Sequence, residues 1–505
     1  MFEAKIVDIL KKNSKQLIIS FILIFWGFIC HGYMFFSKLP NFDDSVSLYN
    51  KGLTLEVGRW FIPFTRFLSK GMSIPIVIGL FSLICIVLSV WLVCDLLDIR
   101  SKIYVLVLGM LMISFPVVTG TFTFMFTADA YFLSLFFSCL SIWLVSKKSN
   151  AIRLVLSIIL LAFSIGIYQA YYDVACALVC IYILLQLTKN KGEIFSKSGS
   201  CKNIVAMLCT LAGGMILYLL INKIVFYISG VEYETATLME LFQNIPKAIY
   251  DSYVNFISIF IKDFAGISYC RAVKVCLFGL WLLFVIIYEV LIIKKGLWNI
   301  ILGNVVLLIL PIALNFINFA MINREMDTLM IYSYIFIPIL PFTLVYNKFT
   351  EVKLEYIYKV LISFLIMILS WQYMLQSNRI YVGMDLAKSA AISYYTSIIT
   401  EIKMTEGYRD DMPVVFLGEN TEDETVFNNG EVYRGDVRGV MHLKRYINMY
   451  SRDSFMAYYC GFSPVKYSGS LEELEKQKEI KNMPYYPDDG AIAIVNDVLI
   501  VKIGN

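Results

Sequence analysis

Runs of about twenty apolar residues recur along the chain between short polar intervals, each long enough to cross the hydrocarbon core of a bilayer. The pattern predicts spans at Leu17–Phe36, Ser73–Cys94, Ile103–Val118, Ala128–Val145, Leu154–Ile167, Val174–Leu187, Ile204–Tyr227, Val273–Ile293, Ile300–Phe319, Leu329–Val345 and Ile357–Gln376. That makes about eleven transmembrane helices. Ala151–Leu187 reads almost continuously apolar but is too long for one crossing, so a break is expected at the polar cluster Tyr168-Gln-Ala-Tyr-Tyr-Asp173.

After Ser377 the apolar blocks stop. Asp385–Glu406 reads as a helix, and Met412–Gly418 as a short strand ending at a glycine. Ser470-Leu-Glu-Glu473 has the spacing of a capping box. Ala491–Val495 and Val498–Ile503 flank Asn496-Asp497, a tight hairpin signal. The expected fold is an all-α polytopic membrane domain, 1–376, with an outer loop at 37–72, followed by a small α/β domain, 377–505.

Composition agrees with this class. The chain has 505 residues, 59% hydrophobic and only 16% charged, where soluble domains carry about a quarter charged residues. Lysine and arginine collect in alternate short loops, at Lys11, Lys12 and Lys15, at Arg100 and Lys102, at Lys147, Lys148 and Arg153, at Lys189, Lys191, Lys197 and Lys202, at Lys294 and Lys295 and at Lys348 and Lys353. The opposite intervals Thr119–Thr127 and Tyr168–Asp173 lack cations. The positive-inside rule then predicts a cytoplasmic amino terminus, with the opening loop, the Val231–Arg271 loop and the tail extracytoplasmic. Leu17–Phe36 is too long for a signal-peptide core and lacks a cleavage site, so it reads as an uncleaved anchor. In the Val231–Arg271 loop, Glu232, Glu234 and Glu240 come first, and Tyr250–Phe264 suits a helix lying in the membrane interface. The 11 cysteines are scattered without paired spacing and only His31 and His442 are present, which argues against a disulfide framework and a zinc site.

The chemistry is expected in the outer loops. Pro40–Tyr49 carries the adjacent acids Asp43 and Asp44, and Gly58-Arg-Trp-Phe61 follows. Lys38, Lys51, Arg59, Arg66 and Lys70 make this loop basic against the orientation trend. Long loops translocate regardless of charge; the alternative is an outer anion site, since arginine matches phosphate with two parallel hydrogen bonds. Glycosyl transfer needs a carboxylate to take the acceptor proton and cations to stabilise departing phosphate. Asp129, Tyr168, Gln169, Tyr172 and Asp173 stand at outer span ends. Asp129 also suits a helix amino terminus, and Lys223, near the outer end of span seven, suits a snorkelling cation. Arg324 is the basic residue of Asn323-Arg-Glu-Met-Asp327. Asn315 and Asn318 inside an apolar span are expected to face a cavity or a partner helix. No nucleotide-binding motif is evident, which points to a donor arriving through the membrane.

Phe42-Asp-Asp44, Gly58-Arg-Trp60, Thr127-Ala-Asp-Ala-Tyr131, Gly166-Ile-Tyr-Gln-Ala170 and Arg324 occur in an order that resembles the bacterial O-antigen glucosyltransferases of the Gtr type-two family, within the GT-C class. The tail adds little to this likeness. The resemblance implies transfer of a sugar, expected to be glucose, from a polyprenyl-phosphate donor to a polysaccharide or lipid-linked glycan outside the bacterial cytoplasmic membrane. It implies an inverting reaction with an aspartate base, Asp44 before Asp43. Arg59, Arg324 and Lys223 are then expected at the donor phosphate, and Trp60, Asp129, Tyr168 and Gln169 at the substrate. No metal or other cofactor is implied, and no nucleic-acid partner. Glu56 before Gly58 and the interposed Lys51 depart from the pattern. A flippase or transporter of lipid-linked sugar, and a polysaccharide polymerase or ligase, are the competing readings.

Overall fold

The computed structural model describes residues 13–49, 52, 54–67, 69–147, 150–189, 198–230, 238–321, 326–348, 355–418, 437 and 448–504. It divides into two compact units. One comprises Met1–Phe36, Tyr49–Asn378 and Asp436–Arg438; the other comprises Ser37–Leu48, Arg379–Gly435 and Gly439–Asn505. The outer loop is therefore shared, its acidic start belonging to the second unit and its Gly58-Arg-Trp60 turn to the first.

The first unit is a helical bundle. Among the described residues, eight helices are long and apolar enough to cross a membrane, the first at Ser14–Phe36 and the last at Tyr356–Met404. Two shorter apolar helices, Ala151–Ile167 and Tyr332–Leu344, accompany them. The chain is thus an all-α polytopic membrane protein in this unit. Gln169–Lys189 is the central element, 89% buried, whereas Ser200–Ser229 is only 28% buried and shows Leu219, Leu220 and Ile224 to the outside. Buried hydroxyls tie helices together where apolar packing alone would not fix their register. Ser134 and Ser164 exchange hydrogen bonds with each other's carbonyls at 2.8 Å, and Ser157 meets Thr210 at 2.8 Å.

Three sequence expectations change here. Pro116 disfavours helix at Phe115, and the expected span Ile103–Val118 becomes two helices, Lys102–Ser114 and Pro116–Thr123, bent by 43°. The interval Thr119–Thr127, expected as an outer loop, is largely helical and buried. Its polarity misleads because the hydroxyls bond inward, Thr121 to the Val117 carbonyl and Thr123 to the Gly120 carbonyl, both at 2.8 Å. The expected span Ile300–Phe319 ends as an α-helix at Leu314 and continues as the 3-10 turn Phe316–Phe319.

The expected break at Tyr168–Asp173 is present as the 3-10 turn Gln169–Tyr171 between the Ala151–Ile167 and Tyr172–Lys189 helices. Asn315 and Asn318 face a partner helix, Leu238–Ile261. Asn315 Nδ2 donates to the Ser252 carbonyl at 3.3 Å, and Asn318 Nδ2 to Ser252 Oγ at 3.1 Å. That helix contains the Tyr250–Ile261 stretch, with Tyr250, Ile257 and Ile261 exposed and Ala248, Ser252 and Phe256 buried. Glu232 and Glu234 lie outside the described residues.

The second unit is α/β. Val414–Leu417 pairs in parallel with Val498–Lys502, which pairs antiparallel with Ile492–Val495. Asn496 and Asp497 both have positive φ, 52° and 64°, as a two-residue hairpin turn requires. Alternation sends Val414 and Phe416 to one face of the sheet and Val415 and Leu417 to the other. The first face packs on Ala387, Ala391, Tyr395, Ile398 and Ile402, a row at helical spacing; the second packs on Leu474, Ile480 and Met483. The expected helix Asp385–Glu406 is not separate: one helix runs unbroken over Glu355–Met404. Within it Ser377 donates to the Tyr373 carbonyl at 2.9 Å and Asn378 to the Met374 carbonyl at 3.0 Å.

Candidate active site

In the second unit the acidic pair sits on a deliberately capped turn. Asn41 is the N-cap of the short helix Phe42–Val46, and its side chain accepts the Asp44 amide at 2.8 Å. Both acids fall in the first turn, where the helix dipole favours negative charge. Their environments differ. Asp44 is 1% exposed and pairs with the Lys38 ammonium, while Asp43 is only half-buried. Lys388, from the long helix, donates to the Lys38 carbonyl at 2.9 Å and stands 5.4 Å above the Tyr459 ring. Burial, and then the nearby Asp44 charge, push the Tyr459 hydroxyl well above its ordinary pKa. Burial and then Asp43 also raise the Tyr450 hydroxyl pKa.

In the first unit Gly58-Arg-Trp60 forms a tight turn. Gly58 has φ +71°, and a Cβ there would stand 2.7 Å from the Tyr218 hydroxyl. Gln169 Nε2 donates to the Val57 carbonyl at 2.8 Å and to the Tyr218 hydroxyl at 3.1 Å. The Phe61 amide donates to the Gly166 carbonyl at 2.9 Å. The two sequence stretches Gly58-Arg-Trp60 and Gly166–Gln169 are therefore one structure. Trp60 is buried, lies against Gly166 and is near-parallel to Tyr218 at 6.5 Å.

Arg59 is held by aromatic rings. Its Nη1 donates to the Tyr131 hydroxyl at 2.8 Å, and its guanidinium lies 5.1 Å from the Tyr168 ring and 5.7 Å from that of Tyr131. Those two rings stack at 4.2 Å. Burial alone would lower the guanidinium pKa; the Tyr131 and Tyr168 oxygens outweigh it and hold the group above its ordinary value. Among the described residues no carboxylate pairs with Arg59, and its buried Nε has no hydrogen-bond partner. Among the described residues, then, no anion meets this buried cation.

Asp129 is buried near the start of the Met125–Lys147 helix and accepts the Ala130 amide at 2.8 Å. Lys223 is exposed on the Ser198–Ser229 helix. Asp173 is buried and accepts the Ile317 amide at 3.1 Å, which anchors the turn after Leu314. Arg324, Lys51 and the side chain of Arg66 lie outside the described residues. No group of three metal-ligating side chains occurs among the described residues. Tyr218, Lys388, Tyr459 and Asn222, whose Oδ1 would stand 3.3 Å from a Cβ on Gly58, are additions that the sequence motifs do not contain. Tyr218 and Asn222 did carry a signal, two polar residues four apart in an apolar helix and therefore on one face.

No curated protein and no solved structure matches the chain. The family model described as glucosyl transferase GtrII matches residues 32–342, a stretch that contains the acidic pair, the Arg59 turn and the Gly166–Gln169 segment. That stretch is more than half of the 505 residues, and with it the chain belongs to the glucosyl transferase GtrII family.

Proposed function

We propose that this glycosyltransferase moves a glucosyl group from a polyprenyl-phosphate donor to a hydroxyl of a cell-surface polysaccharide or lipid-linked glycan, outside the cytoplasmic membrane. The acceptor oxygen attacks the anomeric carbon as its bond to the phosphate oxygen breaks, which inverts the centre. The acceptor proton passes to an aspartate, and the bond electrons leave on polyprenyl phosphate. Asp44 is the proposed base, since the Asn41 cap fixes its backbone amide and the Lys38 ammonium pairs with its carboxylate. Asp43 beside it is the second candidate.

The observation that carries the donor assignment is Arg59, a charged guanidinium with no described carboxylate partner and an unused Nε. Leaving polyprenyl phosphate gains negative charge as the glycosidic bond breaks, and a preorganised cation stabilises that gain more than the ground state. Arg324 and Lys223 are proposed to assist at the phosphate, and Trp60, Asp129, Tyr168 and Gln169 to bind substrate. The amino terminus is proposed to be cytoplasmic and the carboxy-terminal α/β unit extracytoplasmic.

The test is an assay of the purified chain with polyprenyl-phosphate glucose, polyprenyl-diphosphate glucose and a nucleotide-glucose as alternative donors. Transfer from the monophosphate alone supports the reading. Transfer only from the diphosphate would make the protein a polymerase- or ligase-type enzyme, and transfer only from the nucleotide would remove the lipid donor altogether.

A further inference from the structure

A second polar site lies at the bundle end where the Pro75–Leu96 helix finishes and the Lys102–Ser114 helix begins. A cavity of about 430 Å³ opens there, lined by Gln16, Trp91, Asp95, Arg100, Lys102 and Trp143. Its volume falls in the range of about 300–1,000 Å³ usual for small-molecule sites. None of these residues takes part in the chemistry proposed above.

The charges are unequal in a way that favours an anion. Asp95 is satisfied within the protein: Trp143 Nε1 donates to its carboxylate at 2.7 Å and Lys147 Nζ lies 2.9 Å from it. Lys102 stands 4.7 Å over the Trp91 ring, which orients its ammonium without neutralising it. Arg100 is 84% exposed in its side chain and stands 3.8 Å from Asp98, too far for a hydrogen bond, while Lys189 approaches the same carboxylate at 2.5 Å. The amino-terminal end of the Lys102–Ser114 helix adds partial positive charge beside both cations.

An exposed apolar row runs along the Pro75–Leu96 helix from the cavity. Leu92 lines it, and Leu88, Ile84 and Leu80 follow at four-residue steps along the same helix, 43%, 40% and 42% exposed. Tryptophans at the mouth, two cations at the head and an exposed apolar row below match the layout of one phospholipid molecule. We propose that this cavity binds the phosphate headgroup of an anionic phospholipid, with an acyl chain along Leu88, Ile84 and Leu80.

The purified full chain in detergent would be titrated with dioleoylphosphatidylglycerol, dioleoylphosphatidylcholine and inorganic phosphate, and bound lipid read by native mass spectrometry. Phosphatidylglycerol is expected to bind in preference to phosphatidylcholine, and the R100A/K102A variant to bind it about 30-fold more weakly. Leu88→Gln, remote from the charges, is expected to weaken lipid retention as well. Unchanged phosphatidylglycerol binding in R100A/K102A would overturn the proposal, as would displacement of the lipid by inorganic phosphate at equal concentration. Should the double variant lose its fold, Arg100→Glu at the exposed position gives the same reading.

Discussion

Trp60 and Gly166 are in such close approach that a Cβ on Gly166 would lie 2.7 Å from the indole ring. Two stretches more than a hundred residues apart are thereby locked face to face, and the Phe61 amide to Gly166 carbonyl bond closes the contact. Gly166→Ala has no room, because the obstacle is a rigid buried ring. It is expected to destabilise the chain by about 1–3 kcal/mol and to lower the midpoint of thermal inactivation in detergent. An unchanged midpoint would mean the Trp60 contact is looser than described.

Much of this was legible beforehand. Gly58-Arg-Trp60 and Gly166–Gln169 stood out as motifs, and the Asn496-Asp497 hairpin followed from turn chemistry alone. What escaped has physical causes. Thr119–Thr127 looked like a loop because hydroxyls that bond to their own helix read as polar in sequence yet sit buried. The Lys388 to Lys38 bond joins residues 350 positions apart, and no local pattern encodes such a partnership. Tyr131 orients Arg59 through a hydroxyl that, in sequence, is one more tyrosine at a span end.

Arg59 and Tyr131 make the second prediction. Arg59→Gln removes the charge and is expected to lower kcat about 100-fold with polyprenyl-phosphate glucose. Tyr131→Phe keeps the ring and loses the 2.8 Å bond to Nη1, so a smaller loss, about tenfold, is expected. Equal effects of the two would contradict a phosphate-binding Arg59 that Tyr131 merely orients.

Lys38 is the ammonium partner of a fully buried carboxylate. Lys38→Met removes that ammonium from a buried carboxylate and is expected to cost up to about 3–5 kcal/mol of stability. Combining it with Asp44→Asn should restore part of the loss, since the double variant no longer buries a charge. A double-mutant cycle on thermal unfolding measures this coupling; strictly additive effects would show that the pair contributes nothing.

Tyr459 gives a pH signature. Its pKa is raised in the folded chain by burial and by Asp44, so the unfolded chain loses the proton first as pH rises. Its contribution to stability is complete below the ordinary tyrosine pKa of about 10 and is lost as pH climbs through the higher folded value. Tyr459→Phe should therefore show a shallower fall in unfolding midpoint above about pH 10. A fall as steep as in the parent would place the alkaline sensitivity elsewhere.

The most direct test of the account is the turnover of Asp44→Asn beside Asp43→Asn, with polyprenyl-phosphate glucose as donor and an isolated cell-surface glycan as acceptor. Asn keeps the shape of the side chain but cannot take a proton. The account predicts a loss of about 10²–10⁴-fold in kcat for Asp44→Asn, with most of the activity retained by Asp43→Asn. Parent-level turnover in Asp44→Asn would contradict it.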